Sequence, residues 1–116
     1  MMSTSLVKVE PDATVAEAAA VMSIHHVGAA LVVDGDRLLG IFTERDIVRA
    51  LAAEHDAAHH AAAGWMTSDP ITLGPDATPA EALDRMLEEG FRHIPVVDDG
   101  RLVGIVSLRD LSGRAR

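Results

Sequence analysis

The sequence predicts an α+β fold of two β-α-β-β-α repeats packed face to face, and three observations carry that reading. Shifted by 64 residues, with Pro11 on Pro75, the chain matches itself without a gap. An internal repeat fixes architecture ahead of other sequence signals. Within each copy, short apolar runs, turn dipeptides and helical periodicities come in the same order. Half of 116 residues is also too little chain to bury a sheet alone, whereas two copies in contact can do so. The repeats fall at 1–54 and 70–116, with a linker at 55–69.

Taken in order, residues 6–9 and 71–73 read as short strands, each closed by a Pro-Asp turn. A helix follows in both copies. Thr14 caps the first with Glu17 at N3; Thr78 caps the second, with Pro79 at N1 and Glu81 at N3. Val15, Ala18, Ala19 and Met22 recur at helical spacing, as do Ala82, Leu83, Met86 and Leu87. These are the predicted core faces. Gly90 is free to take the left-handed conformation that ends a helix, while His26 occupies that place in the first copy and is a poorer stop. Two hairpins come next. Residues 31–33 turn at Asp34-Gly35-Asp36 into 38–42, and residues 94–97 turn at Asp98-Asp99-Gly100 into 102–106. The closing helix spans 47–53 in the first copy and is a stub from Leu111 to Gly113 in the second.

The linker holds His55, His59 and His60 among alanines. On a helix, His55 and His59 share a face at i, i+4, a spacing that can hold a metal. No cysteine joins them, and Glu54 and Asp56 belong to other faces of that helix. The segment therefore reads as a solvated polar face, with no metal site.

Composition excludes several functions. Net charge is −8, from 10 basic and 18 acidic residues, which opposes binding to a nucleic-acid backbone. Aromatic residues are only Phe42, Trp65 and Phe91, too few for base-stacking platforms. No apolar run approaches a membrane span, and the first residues lack the pattern of a signal peptide. Without cysteine there is neither a disulfide framework nor a thiolate metal site. A cytoplasmic protein that binds neither nucleic acid nor membrane is expected. Nor does any nucleophile–base–acid order or metal-hydrolase spacing point to an enzyme.

The chemistry-bearing stretch is written twice, as Gly40-Ile41-Phe42-Thr43-Glu44-Arg45-Asp46 and Gly104-Ile105-Val106-Ser107-Leu108-Arg109-Asp110. Each reads as a strand running into a helix, with Thr43 or Ser107 at the N-cap and an aspartate at N3. Such a helix start can hold a phosphate, and a carboxylate one turn in can accept hydrogen bonds from sugar hydroxyls. The same pattern is also a capping box, which needs no ligand.

The ordered motifs Met-Thr-x-x-Pro, Pro-Asp-Ala-Thr-x-x-Glu-Ala, His-Ile-Pro-Val-Val-Asp and Leu-Val-Gly-Ile-Val-Ser-x-Arg-Asp resemble the CBS domain, named after cystathionine β-synthase. Two in tandem look like a stand-alone Bateman module, and the likeness runs from Leu6 to Leu111. The resemblance implies pseudo-twofold related repeats packed through their sheets, with two clefts for adenosine-type ligands: AMP, ADP, ATP or S-adenosylmethionine. It implies a first cleft of Thr43 and Asp46 with Ile71, Thr72, Arg92 and His93. A second, weaker cleft would combine Ser107 and Asp110 with Leu6 and Val7, because Gly28 and Ala29 stand where Arg92 and His93 would be. A regulatory module follows, forming a homodimer and acting on an unidentified partner protein, with the nucleotide as regulatory ligand and no cofactor. The alternative is a ligand-free interaction or dimerisation module with vestigial clefts.

Overall fold

The computed structural model describes residues 6–114, with side chains to residue 111. The chain divides into a first unit, Val7–Pro70, and a second containing Leu6 and the residues from Ile71 onward.

The first unit carries strand β1 (Lys8–Val9), helix α1 (Val15–His25), strands β2 (Ala29–Asp34) and β3 (Arg37–Thr43), helix α2 (Glu44–Ala53) and strand β4 (Thr67–Ser68). Its sheet has the order β1-β2-β3-β4, parallel between β1 and β2 and antiparallel elsewhere. The α1 cap is the capping box predicted: Glu17 N–H donates to Thr14 Oγ1 at 3.0 Å, and Thr14 N–H donates to Glu17 Oε1 at 3.0 Å. Hydrogen bonding to the carboxylate, first from the Thr14 backbone and then from its side chain, holds the Glu17 carboxyl below its ordinary pKa of 4.5. Val15, Ala18 and Met22 face the core as expected, together with Ala30, Val32, Phe42 and Ala50. Fully burying Phe42 contributes on the order of 1.5–3 kcal/mol. Gly40 lies where β4 crosses β3: an added Cβ would sit 2.7 Å from the Thr67 carbonyl oxygen and 2.5 Å from Met66 Sδ. The absence of a side chain there lets the two strands pair.

The second unit carries helix α3 (Pro79–Glu89), strands β5 (His93–Asp98) and β6 (Arg101–Ser107), and helix α4 (Leu108–Arg114). Its hairpin repeats the first one pair for pair. Ala29 opposite Thr43 becomes His93 opposite Ser107, and the bulge at Val32/Val33 becomes one at Val96/Val97. The turn Asp99-Gly100 has positive φ at both residues, 52° and 80°, which suits the right-handed twist of a tight hairpin. Ala82, Met86, Ile94, Val96 and Val106 form the core of this unit.

Several expectations need correction. The strand expected at 6–9 is only Lys8–Val9. That at 71–73 shrinks to a single parallel bridge, with Leu73 N–H on Pro95 O and Val97 N–H on Leu73 O, both 2.9 Å. Pro75, which has no N–H, stands two residues on and stops the pairing from running further. Helix α2 starts at Glu44, three residues before the expected 47, directly behind its Thr43 cap. The expected stub at Leu111 begins at Leu108 and continues through Gly113. Leu83 and Leu87, assigned to the core face of α3, are exposed.

The largest correction concerns the linker. Its residues 54–69 do not form the helix that would pair His55 with His59. Glu54 leaves α2 with φ −138°, and two short 3-10 turns follow, Ala57–His59 and Ala62–Gly64. Tertiary bonds overrule alanine's helical preference: Val15 N–H donates to His60 O and Ala62 N–H to Ala13 O, both at 2.8 Å. These bonds place Ala57 and Ala62 in the core of the first unit. Glu54 and Asp56 instead come near His60, a histidine outside the expected pair, with ligand atoms of the three within 4.8 Å of one another. Strand β4 was not foreseen.

Candidate functional site

The two strand-to-helix turns form as the motif predicts, but they are not equivalent. In the first, Thr43 caps α2 with φ −120° and ψ 169°. Asp46 N–H donates to Thr43 Oγ1 at 3.3 Å, while Asp46 Oδ2 accepts from Thr43 N–H at 2.9 Å and from its hydroxyl at 3.1 Å. The other oxygen, Oδ1, accepts from Arg49 Nη1 at 3.0 Å. Asp46 is only 4% exposed, and it is the one charged residue among the buried described residues. Both of its oxygens are already engaged.

In the second turn, Asp110 N–H donates to Ser107 Oγ at 3.0 Å. Ser107 is half-buried and Asp110 is exposed, so this carboxylate faces solvent. The N–H of Leu108 donates to Arg92 O at 2.8 Å, and His93 lies opposite Ser107 in the β5–β6 register. The fold thus gathers Arg92, His93, Ser107 and Asp110 at one end of one hairpin. In the first unit, Glu44 N–H reaches Gly28 O at 3.1 Å and Ala29 faces Thr43, so the same end there carries no basic side chain before the strand. At both helix starts two backbone N–H groups are already spent, on a carbonyl and on the cap hydroxyl. Of the basic side chains near the second turn, Arg92 and Arg109 are exposed and His93 is half-buried.

The remaining predicted site residues sit at strand beginnings. Ile71 is half-buried and Thr72 exposed, directly before the Leu73 bridge. Leu6 and Val7 are half-buried, and Val7 O accepts from Leu31 N–H at 2.8 Å. Sequence reasoning missed an open groove of about 450 Å³ in the first unit, lined by Ala19, Met22, Ser23, His26, Val27, Glu44 and Ile47. Its lining comes from the end of α1 and the start of α2, two places that no linear motif joins.

This architecture recurs in solved structures. The CBS domain pair of protein MJ0100, in complex with 5′-methylthioadenosine and S-adenosyl-L-methionine, superimposes with a TM-score of 0.91 at 29% identity, covering 99% of this chain and 95% of that one. The CBS domain protein PAE2072 from Pyrobaculum aerophilum, complexed with AMP, gives 0.84 at 32% identity over 90% of this chain and 82% of that one. In sequence, an uncharacterised 17.7 kDa protein of Acidianus ambivalens is 43% identical over 112 residues, which is 95% of this chain and 67% of its own length. The CBS domain model matches residues 1–53 and again 62–115. With the hairpin register, bulge and capped helix each appearing twice at the spacing of the sequence repeat, the chain belongs to the CBS domain family as a tandem pair.

Proposed function

We propose that the protein is a regulatory sensor that binds an adenosine-type ligand and alters how it presents itself to a partner protein. The observation that carries this reading is the pair of hydroxyl-capped turns with an aspartate at N3, in a fold whose relatives MJ0100 and PAE2072 hold adenosine compounds. The contacts we propose come from Thr43, Asp46, Ile71, Thr72, Arg92 and His93, and from Ser107, Asp110, Leu6 and Val7. Arg92 and His93, assigned to the first cleft, supply the positive groups for phosphate, and they adjoin Ser107 in their own hairpin. The exposed Asp110 is open to accept from ribose hydroxyls, whereas Asp46 is spent on its own cap and on Arg49. The ligand is regulatory, and the protein is not itself an enzyme. Ile24 and Val48, 72% and 67% exposed on α1 and α2, supply apolar surface for a homodimer or for the regulated protein. The lack of cysteine suits a cytoplasmic setting. No described helix is long and apolar enough to cross a membrane.

Thermal unfolding with AMP, ADP, ATP and S-adenosylmethionine tests the proposal. A ligand at 100 times its Kd adds about 2.7 kcal/mol, a rise of several degrees for a domain this small. Asp110→Ala should weaken binding by roughly ten- to a hundredfold, the loss of one charged hydrogen bond. No shift with any of the four compounds overturns the proposal. It would favour the ligand-free interaction module, a reading that the self-satisfied Asp46 already supports for the first turn.

A further inference from the structure

We propose that Glu54, Asp56 and His60 form a binding site for a divalent transition metal, zinc above others, independent of any nucleotide site. Among the described residues this is a group of three ligating side chains whose donor atoms all lie within 4.8 Å of one another. Within it His60 Nε2 lies 3.5 Å from Asp56 Oδ1. Zinc bonds to nitrogen and carboxylate oxygen at about 2.0–2.2 Å, so two ligands of a tetrahedral ion stand about 3.3–3.6 Å apart. One edge of the tetrahedron is therefore already in place, and Glu54 offers a third donor within 4.8 Å of the other two.

The backbone holds the three positions in a fixed relation. Glu54 N–H is bonded to Ala50 O at 3.0 Å, Ala57 N–H to Glu54 O at 3.1 Å, His59 N–H to Asp56 O at 3.1 Å and His60 N–H to Ala57 O at 2.9 Å. Ala57, between the ligands, is fully buried. His60 O is itself tied to Val15 N–H at the start of α1, so the ion would clasp the end of α2 to the start of α1. The donor chemistry selects the class of ion. An imidazole nitrogen disfavours magnesium and calcium, which take oxygen ligands, and two carboxylates with one imidazole suit zinc and its neighbours. The two carboxylate charges balance those of the ion. The His60–Asp56 contact it replaces is partly exposed, with side chains 40% and 54% accessible, and costs little to break. Three protein ligands leave a fourth position for water.

Zinc chloride titrated into the chelator-stripped full chain, followed by calorimetry, tests the site, with cobalt(II) absorbance reporting geometry. One zinc per chain, a Kd on the order of micromolar and an intense tetrahedral cobalt spectrum are expected. Glu54→Gln, Asp56→Asn and His60→Gln should each weaken zinc at least tenfold, equivalent to about 1.4 kcal/mol. The double variants His55→Gln/His59→Gln and His25→Gln/His26→Gln should leave it unchanged. His60→Gln keeps the backbone bond to Val15, and circular dichroism checks each fold. Absence of saturable binding, binding that survives the three ligand variants, or equal loss in the control variants identifies an adventitious ion only and overturns the proposal.

Discussion

Asp46 and Asp110 occupy the same place in two copies of one motif and do different work. Asp46 closes a reciprocal cap with Thr43, pairs with Arg49 and is nearly inaccessible. Asp110 contributes its backbone N–H to Ser107 and keeps its carboxylate at the surface. Asp46→Ala should therefore cost about 1–2 kcal/mol of stability, as loss of a cap and of a charge-assisted bond. Asp110→Ala should cost less than about 0.5 kcal/mol, as an exposed substitution does. Urea unfolding of both variants measures the difference, and equal losses would refute the division of roles. The motif was legible in sequence at both sites. Which carboxylate is spent and which is open was not, because that depends on Arg49 reaching back and on burial of the α2 start.

At the scale of elements, the two α1-like helices end alike in backbone but not in residue. The C-cap of α1 is His26 at φ 54°, and that of α3 is Gly90 at φ 73°. The left-handed conformation strains a side chain that glycine lacks. His26→Gly should raise stability by about 0.5–1 kcal/mol, seen as a higher urea midpoint with an unchanged slope; a fall would mean that the imidazole makes a compensating contact. The hairpins and capped helices were legible because their signals are local: a turn dipeptide, an N-cap, a 3.6-residue period. Residues 54–69 were not. Their alanines favour helix on intrinsic propensity, but Ala13, Val15 and the bare face of Gly40 draw the segment into turns and a fourth strand. Glu54, Asp56 and His60 are brought together by that same departure from helix, so spacing along a helix could not reveal them.

At the scale of the whole molecule, the repeats are alike in topology and unequal in substance. Among the described residues, the core cluster of the first unit has ten, with Phe42 among them, and that of the second has five, the largest of them aliphatic. A chain of fewer than about 50 residues is marginal on its own core. A peptide of residues 70–116 should accordingly show no cooperative thermal transition by circular dichroism, whereas the full chain should show one. A sharp transition in the peptide would disprove that dependence. The sequence by itself determined the α+β class, the twofold repetition, the family and the paired strand-to-helix turns, because all of these rest on local signals written twice. Only the tertiary structure decided that β4 pairs at Gly40, that 54–69 packs as turns within the first unit, that Asp46 is buried and Asp110 open, and that Arg92 and His93 adjoin Ser107. Asp46 is engaged by Thr43 and Arg49, each three residues away; the others follow from contacts between residues further apart in the chain, where packing and hydrogen-bond satisfaction outweigh the preference of any single segment.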